Sequence, residues 1–157
     1  MNESRNTLFE AAAQRLGFDL SEEIRIGGNY TPAIVHAGTA YVSGQVPRIG
    51  SMVAVTGRVG AQATLEEAQR AARICTVRTL AILRQTLGSL DAVAQALRMT
   101  VYVQSAIDFT QQSEVADAAS ALLHEVLGDA GRHTRTSVGV VQLPKNAAVE
   151  LDLVVAV

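Results

Sequence analysis

The last ten residues, Ala148 to Val157, constrain the fold more than any other segment. Val149, Leu151, Leu153 and Val155 stand on one parity, and Val154 and Ala156 on the other. A strand with apolar side chains on both faces needs a cover on each side. The rest of the chain must therefore supply one cover, and something else the second.

Two helical segments provide the first. Thr64 to Leu87 is the longest, with Thr64 placed to cap it and Glu66 and Glu67 in the first turn, where the helix dipole favours negative charge. Leu65, Ala68, Ala72, Thr76, Leu80, Leu83 and Leu87 form one stripe, and Gly88 ends the run. Ala96 to Ala106 alternates as a strand, with Met99, Val101 and Val103 against Thr100, Tyr102 and Gln104. A second helix, Ser113 to Leu127, turns Val115, Ala119, Leu122 and Val126 inward and stops at Gly128. His133 to Val141 is again β-rich. Each helix ends in Leu-Gly, a faint internal repeat. Two βαβ units with right-handed crossovers place both helices on the same face of one mixed sheet.

Upstream, Ala33 to His36 and Ala40 to Ser43 read as a hairpin through Gly38-Thr39, with a further short apolar run at Ile24 to Ile26. Gly44 to Gly60 reads as a loop with a short strand at Met52 to Val55. Residues 4 to 16 form an amphipathic helix with Leu8, Ala12 and Leu16 on one face, ended by Gly17. The expected organisation is an α+β fold, with a helical extension over residues 1–20 and a single domain over 21–157.

Composition identifies what covers the other face. The chain is 48% hydrophobic but only 18% charged, against about 25% charged in an average soluble domain. That shortage of charge points to a second subunit. A net charge of −2 leaves no electrostatic footprint for nucleic acid or an anionic membrane. One cysteine, Cys75, excludes a disulfide framework and a Cys-rich zinc site. No apolar run approaches the roughly 20 residues of a membrane span, and Met1 to Arg5 lacks a signal-peptide layout. A cytoplasmic protein is expected.

Phosphate-binding glycine loops, His-Glu-x-x-His and Gly-x-Ser-x-Gly are absent from the sequence. His36, His124 and His133 lack paired ligand spacing, so neither a metal nor a cofactor is expected. Cys75, mid-helix, reads as a small apolar residue. More telling are charges set in apolar strands: Arg135, and Glu150 with Asp152 pointing the same way. Such charges are costly to bury unless paired. Arg135 and Glu150 could bridge neighbouring strands or lie exposed at a sheet edge. Alternatively, Arg135 could hold a carboxylate by paired hydrogen bonds while a nearby carboxylate positions or deprotonates a water.

The segment Arg135-Thr136-Ser137-Val138, then Leu143-Pro144-Lys145, then Val149-Glu150-Leu151-Asp152 resembles the C-terminal signature of the RidA/YjgF family of imine deaminases. Ser43-Gly44-Gln45-Val46-Pro47 is similar to that family's Ser-Gly-Gln-hydrophobic-Pro segment, and Tyr30 stands thirteen residues before Ser43, as the family's active-site Tyr does. The resemblance implies a chorismate-mutase-like, ferredoxin-like fold of two βαβ units. It further implies a homotrimer around a central β-barrel, with helices outward and sites in clefts between subunits. It also implies cofactor-free hydrolysis of enamines and imines, such as 2-aminoacrylate, to 2-oxo acids and ammonia. Arg135 would then grip the substrate carboxylate, and Glu150 would hold and activate the water. Tyr30 would line the pocket, and Ser43, with Gly44 beside it, would contribute a hydroxyl or backbone contact.

The chain also departs from the family pattern, with Ser137 where Cys is common and Gly139 where Glu is common. The second helix lacks the family's Asn-x-x-Tyr-x-x-Phe-Phe pattern. These departures keep open a non-catalytic small-carboxylate binding or regulatory trimer. They also leave a ribonuclease or translation inhibitor, against which the acidic charge balance argues.

Overall fold

The computed structural model describes residues 4–157. Five strands form one mixed sheet in the order β1-β2-β7-β5-β6. They are β1 (Ala33–His36), β2 (Thr39–Gln45), β5 (Gln95–Gln104), β6 (Thr134–Val140) and β7 (Val149–Ala156). A separate two-stranded ribbon pairs β3 (Arg48–Ile49) with β4 (Met52–Val53). β5 and β6 run parallel through helix α3 (Gln112–Leu127), while β7 is antiparallel to both β2 and β5. Helix α2 (Leu65–Leu87) therefore links the parallel pair β2 and β5 across an intervening β7. This is the doubled βαβ architecture expected from the sequence, with β7 as the central strand.

The parity of β7 divides the molecule. Val149, Leu151, Leu153 and Val155 are buried toward the helices, whereas Glu150, Asp152, Val154 and Ala156 face the other way and are only half-buried. Across that second face the register aligns Ile34, Tyr41 and Val154 in one row. Ile34 is 57% and Tyr41 52% exposed, so this face is the one the helices leave bare.

The α2 start follows its sequence closely. Thr64 Oγ1 accepts from the Glu67 amide at 3.1 Å, and Glu67 returns the bond to the Thr64 amide at 2.7 Å, a complete capping box. Gly88 ends the helix at φ +85°, a conformation that costs glycine little. Burial, however, exceeds the stripe read from periodicity. Every residue from Ile74 to Leu83 is buried, because the sheet lies on one side and α1 (Arg5–Arg15) and α3 on others. A helix covered all round belongs to the core. It carries the buried Arg78 with it.

The apolar run Ile24 to Ile26 joins no sheet; Ile24 packs on the core, and the Arg25 carbonyl accepts from the Arg78 side chain. One expectation needs correction. The α1 apolar face centres on Phe9, Ala12 and Ala13, with Leu8 and Leu16 at its margins. The Arg84 guanidinium lies 4.8 Å from the centroid of the Phe9 ring. Asn6 exchanges hydrogen bonds with Ser89 Oγ at 2.8 Å and the Leu90 amide at 3.1 Å.

Phe9→Ala should therefore lower stability by about 3 kcal/mol through cavity formation, read from urea unfolding. A shift below about 0.5 kcal/mol, the range of ordinary surface substitutions, would mean α1 is not part of the core.

Candidate functional site

A β-bulge organises the site. Val42 pairs with Leu153 and Gln45 with Leu151, so Ser43 and Gly44 together oppose Asp152. The extra residue turns Gln45 to the helix side, where it is buried and its Oε1 accepts from Arg78 Nε at 3.2 Å. It also sets Gly44 against Glu150. A Cβ on Gly44 would lie 2.2 Å from Glu150 Oε1, so the missing side chain is what leaves room for the carboxylate.

Glu150 and Gly44 line a cavity of about 180 Å³. Tyr30, Gly27 and Arg25 come from the segment before β1, Gln45, Val46 and Arg48 from β2 and just beyond it, and Pro144 and Lys145 from the loop before β7. Arg78 reaches it from α2. The Pro144–Lys145 turn is held by Gln104, whose side chain accepts from the Leu143 amide at 2.8 Å and donates to Asn146 Oδ1 at 2.7 Å. Lys145 and Asn146 both adopt φ +57°, unusual for side-chain-bearing residues and stabilised here by those bonds.

Burial, and then the neighbouring Asp152, push the Glu150 carboxyl above the usual carboxylate range. Among the described residues it has neither an ion-pair partner nor a hydrogen-bond donor. Asp152 is also raised, chiefly by burial, and lies 3.4 Å from the Tyr102 hydroxyl that donates to it. Ser43 is not in the cavity wall. Its hydroxyl donates to the Thr31 carbonyl at 2.8 Å and its amide to Pro32 at 2.9 Å, which fixes the segment carrying Tyr30.

Arg135 lies elsewhere. It aligns with Met99 and Leu153 on the helix side of the sheet, whereas Glu150 aligns with Tyr102 and Val138 on the bare side. β5 also stands between their strands. The Arg135–Glu150 bridge therefore does not form within one chain. Arg135 Nη1 instead contacts Asp117 Oδ1 at 2.8 Å and Ser120 Oγ at 3.0 Å, in a shallow open cleft shared with His133.

His133 makes bonds of its own, to Ser120 Oγ at 2.9 Å and the Gly131 carbonyl at 2.6 Å. Burial raises the Cys75 thiol well above its ordinary range, and it donates to the Val149 carbonyl; such a thiol is a poor nucleophile. No group of metal-ligating side chains occurs among the described residues.

Sequence reading missed Arg78, Arg48, Arg25 and Gln104. A usable signal existed for Arg78, which is the single charge in the apolar run Ile74 to Leu83.

A family model described as "YjgF/chorismate_mutase-like, putative endoribonuclease" matches residues 10–156. The chain belongs to this YjgF/chorismate-mutase-like family. It is 40% identical over 146 residues to Protein TCP17 of Trypanosoma cruzi, covering 92% of this chain and 91% of that protein. The crystal structure of Atu1372 from Agrobacterium tumefaciens, of unknown function, is similar with a TM-score of 0.87 and 37% identity, covering 98% and 94% of the two chains. E. coli TdcF with bound serine shares the fold at TM-score 0.60 and 18% identity, over 88% and 95%. Within this YjgF-type fold, Gly139 is a position where a Cβ would meet Gln112 Nε2 at 2.9 Å and Ser105 Oγ at 3.1 Å. A longer side chain there, such as the Glu common in the resembling deaminases, requires Gln112 to move.

Two outcomes test this geometry. Because folding raises the Glu150 pKa above its unfolded value of about 4.3, stability is lost as pH rises from there through the folded pKa. Glu150→Gln should thus unfold at a higher temperature than wild type at pH 7, with the difference vanishing below pH about 4. Equal midpoints at both pH values would show that the carboxylate is not desolvated. Gly44→Ala should fold, since only a side-chain tip must yield, yet the displaced carboxylate should lose its raised pKa in a carbon-detected NMR titration.

Proposed function

We propose that the chain hydrolyses enamines and imines of small 2-oxo acids, releasing ammonia without a cofactor. The observation that carries this reading is Glu150, an unpartnered carboxylate of raised pKa above Gly44 in a small cavity. A base of that kind holds a water and accepts its proton. An enamine first becomes the imine by gaining a proton on its terminal carbon and losing one from nitrogen. As the water oxygen then bonds to the imine carbon, the C=N π pair moves to nitrogen, which takes up the proton the water gives up. The hydroxyl of the resulting carbinolamine then gives up its proton as a C=O bond forms and the C–N bond breaks, and that proton, delivered to nitrogen, lets ammonia leave. Orientation and one poised water are sufficient for so labile a bond. TdcF with bound serine supports a small amino-acid-like ligand in this fold.

Arg135 enters from a second copy in this reading. Its ion pair with the exposed Asp117 is a surface contact of small worth, which a substrate carboxylate can replace. A cyclic trimer repeats one heterologous interface, so the β6 edge of one subunit would face the Glu150 cavity of the next. It would also cover the bare sheet face with its Ile34 and Tyr41. Binding of a small carboxylate without turnover is the competing reading, favoured by the cations around the cavity. Glu150→Gln separates the two, because it removes the base and keeps the cations.

Ammonia release from enzymatically generated 2-aminoacrylate should fall about 100-fold in Glu150→Gln, and Arg135→Ala should also be inactive. Co-refolding the two inactive variants should restore about one quarter of wild-type activity, since random assembly joins an intact Glu150 to an intact Arg135 at about one interface in four. Wild-type rates in Glu150→Gln would sink the deaminase reading. No recovery on mixing would sink the shared site.

A further inference from the structure

Four cationic residues, Arg25, Arg48, Arg78 and Lys145, line a cavity whose one acid is Glu150. None of the four forms an ion pair among the described residues. Arg78 is the decisive member. It is 5% exposed, and its three hydrogen-bond acceptors are all neutral: Gln45 Oε1 at 3.2 Å, the Arg48 carbonyl at 3.4 Å and the Arg25 carbonyl at 3.2 Å. A guanidinium has five N–H donors, so these bonds leave donors over. They also leave its charge uncompensated, and a buried charge without a counter-ion is strongly unfavourable.

The acids on the other side of Arg78 do not remove this imbalance. Glu22, Glu23 and Asp19 line an adjoining cleft that shares Arg25 and Arg78, yet none pairs with either. Asp19 is engaged by the Ser21 amide at 2.8 Å and hydroxyl at 2.6 Å. A purely structural tether between α2 and the Arg25 and Arg48 backbones would explain the donors in use. It would not explain a permanent charge, nor two further arginines and a lysine around the same space.

We propose that the Arg78 end of the cavity binds a second anionic group of the ligand, making the preferred substrate an acidic imine, dicarboxylic or phosphate-bearing. The word substrate rests on the deaminase reading above; the anion site does not. Arg135 of the neighbouring copy holds the carboxylate next to the imine, and the guanidiniums of Arg78 and Arg48 receive the distal anion. A cavity of about 150 Å³ accommodates a molecule the size of benzene, so the space here, about 180 Å³, suits a backbone of some five carbons.

The test is calorimetric titration of the full chain with 2-oxoglutarate and with 2-oxopentanoate, which match in length but differ in the distal carboxylate. Wild type should bind 2-oxoglutarate at least about tenfold more tightly, as charge-assisted hydrogen bonds require. Arg48→Gln and Arg78→Met should abolish that preference while leaving 2-oxopentanoate affinity within about twofold, an effect that a tether alone does not produce. Arg48 makes no side-chain hydrogen bond to the fold among the described residues, so its variant carries the test even if Arg78→Met fails to fold. Inorganic phosphate that binds wild type but neither variant, without a 2-oxoglutarate preference, would assign the anion as phosphate. Equal affinity for the two oxo acids, with no phosphate binding, overturns the proposal. Because binding is read without turnover, an inactive protein that keeps the preference refutes only the deaminase reading, and an active one that lacks it refutes only the anion site.

Discussion

The strict alternation of side chains along β7 is the constraint on which the site depends. Neighbouring residues on this strand live in different environments: Val149 and Leu151 are fully buried under α2, and Glu150 between them faces the bare side. Because the strand is central, with β2 and β5 paired on its two edges, its register cannot slip without exposing four buried apolar residues at once. That apolar cost holds Glu150 where it is. The bulge at Ser43–Gly44 then adjusts the neighbouring strand by one residue, making space for the carboxylate and sending Gln45 to the opposite side.

The same alternation keeps Arg135 and Glu150 apart. They are fifteen residues apart in sequence and both flank the loop at Pro144, which suggests proximity. Register puts them on opposite faces with β5 between. A single chain consequently holds two separate features: an acid in a cationic cavity, and a guanidinium resting on a surface aspartate. In the proposed assembly the bare face, with Ile34 and Tyr41 exposed, would be covered and the acid and the guanidinium would meet across an interface.

Much of the architecture was legible because its signals are local. Thr64, Glu67 and Gly88 mark the ends of α2 by capping chemistry that involves neighbours only, and the alternation of Met99 to Gln104 identifies β5 without reference to any partner. Ile24 to Ile26 was less legible because a short apolar run carries no sign of whether its backbone will find a ladder; here Arg78 took the Arg25 carbonyl. Phe9 escaped a stripe drawn through Leu8 and Leu16, since α1 packs against both α2 and α3 and its buried face rotates toward them.

The two-faced terminal strand was enough, by itself, to require a sheet with one helix-covered face, and the structure leaves the other face bare. The family resemblance also pointed to Glu150, Gly44 and Tyr30, which line one cavity. Tertiary structure alone decided that Ser43 fastens a loop, that Arg135 stands apart, and that Arg78, Arg48, Arg25 and Lys145 converge on Glu150. The physical reason is that periodicity and capping are properties of a few consecutive residues, whereas a cavity joins side chains from four segments. Which of those segments meet depends on strand register, one bulge and the packing of a fully buried helix.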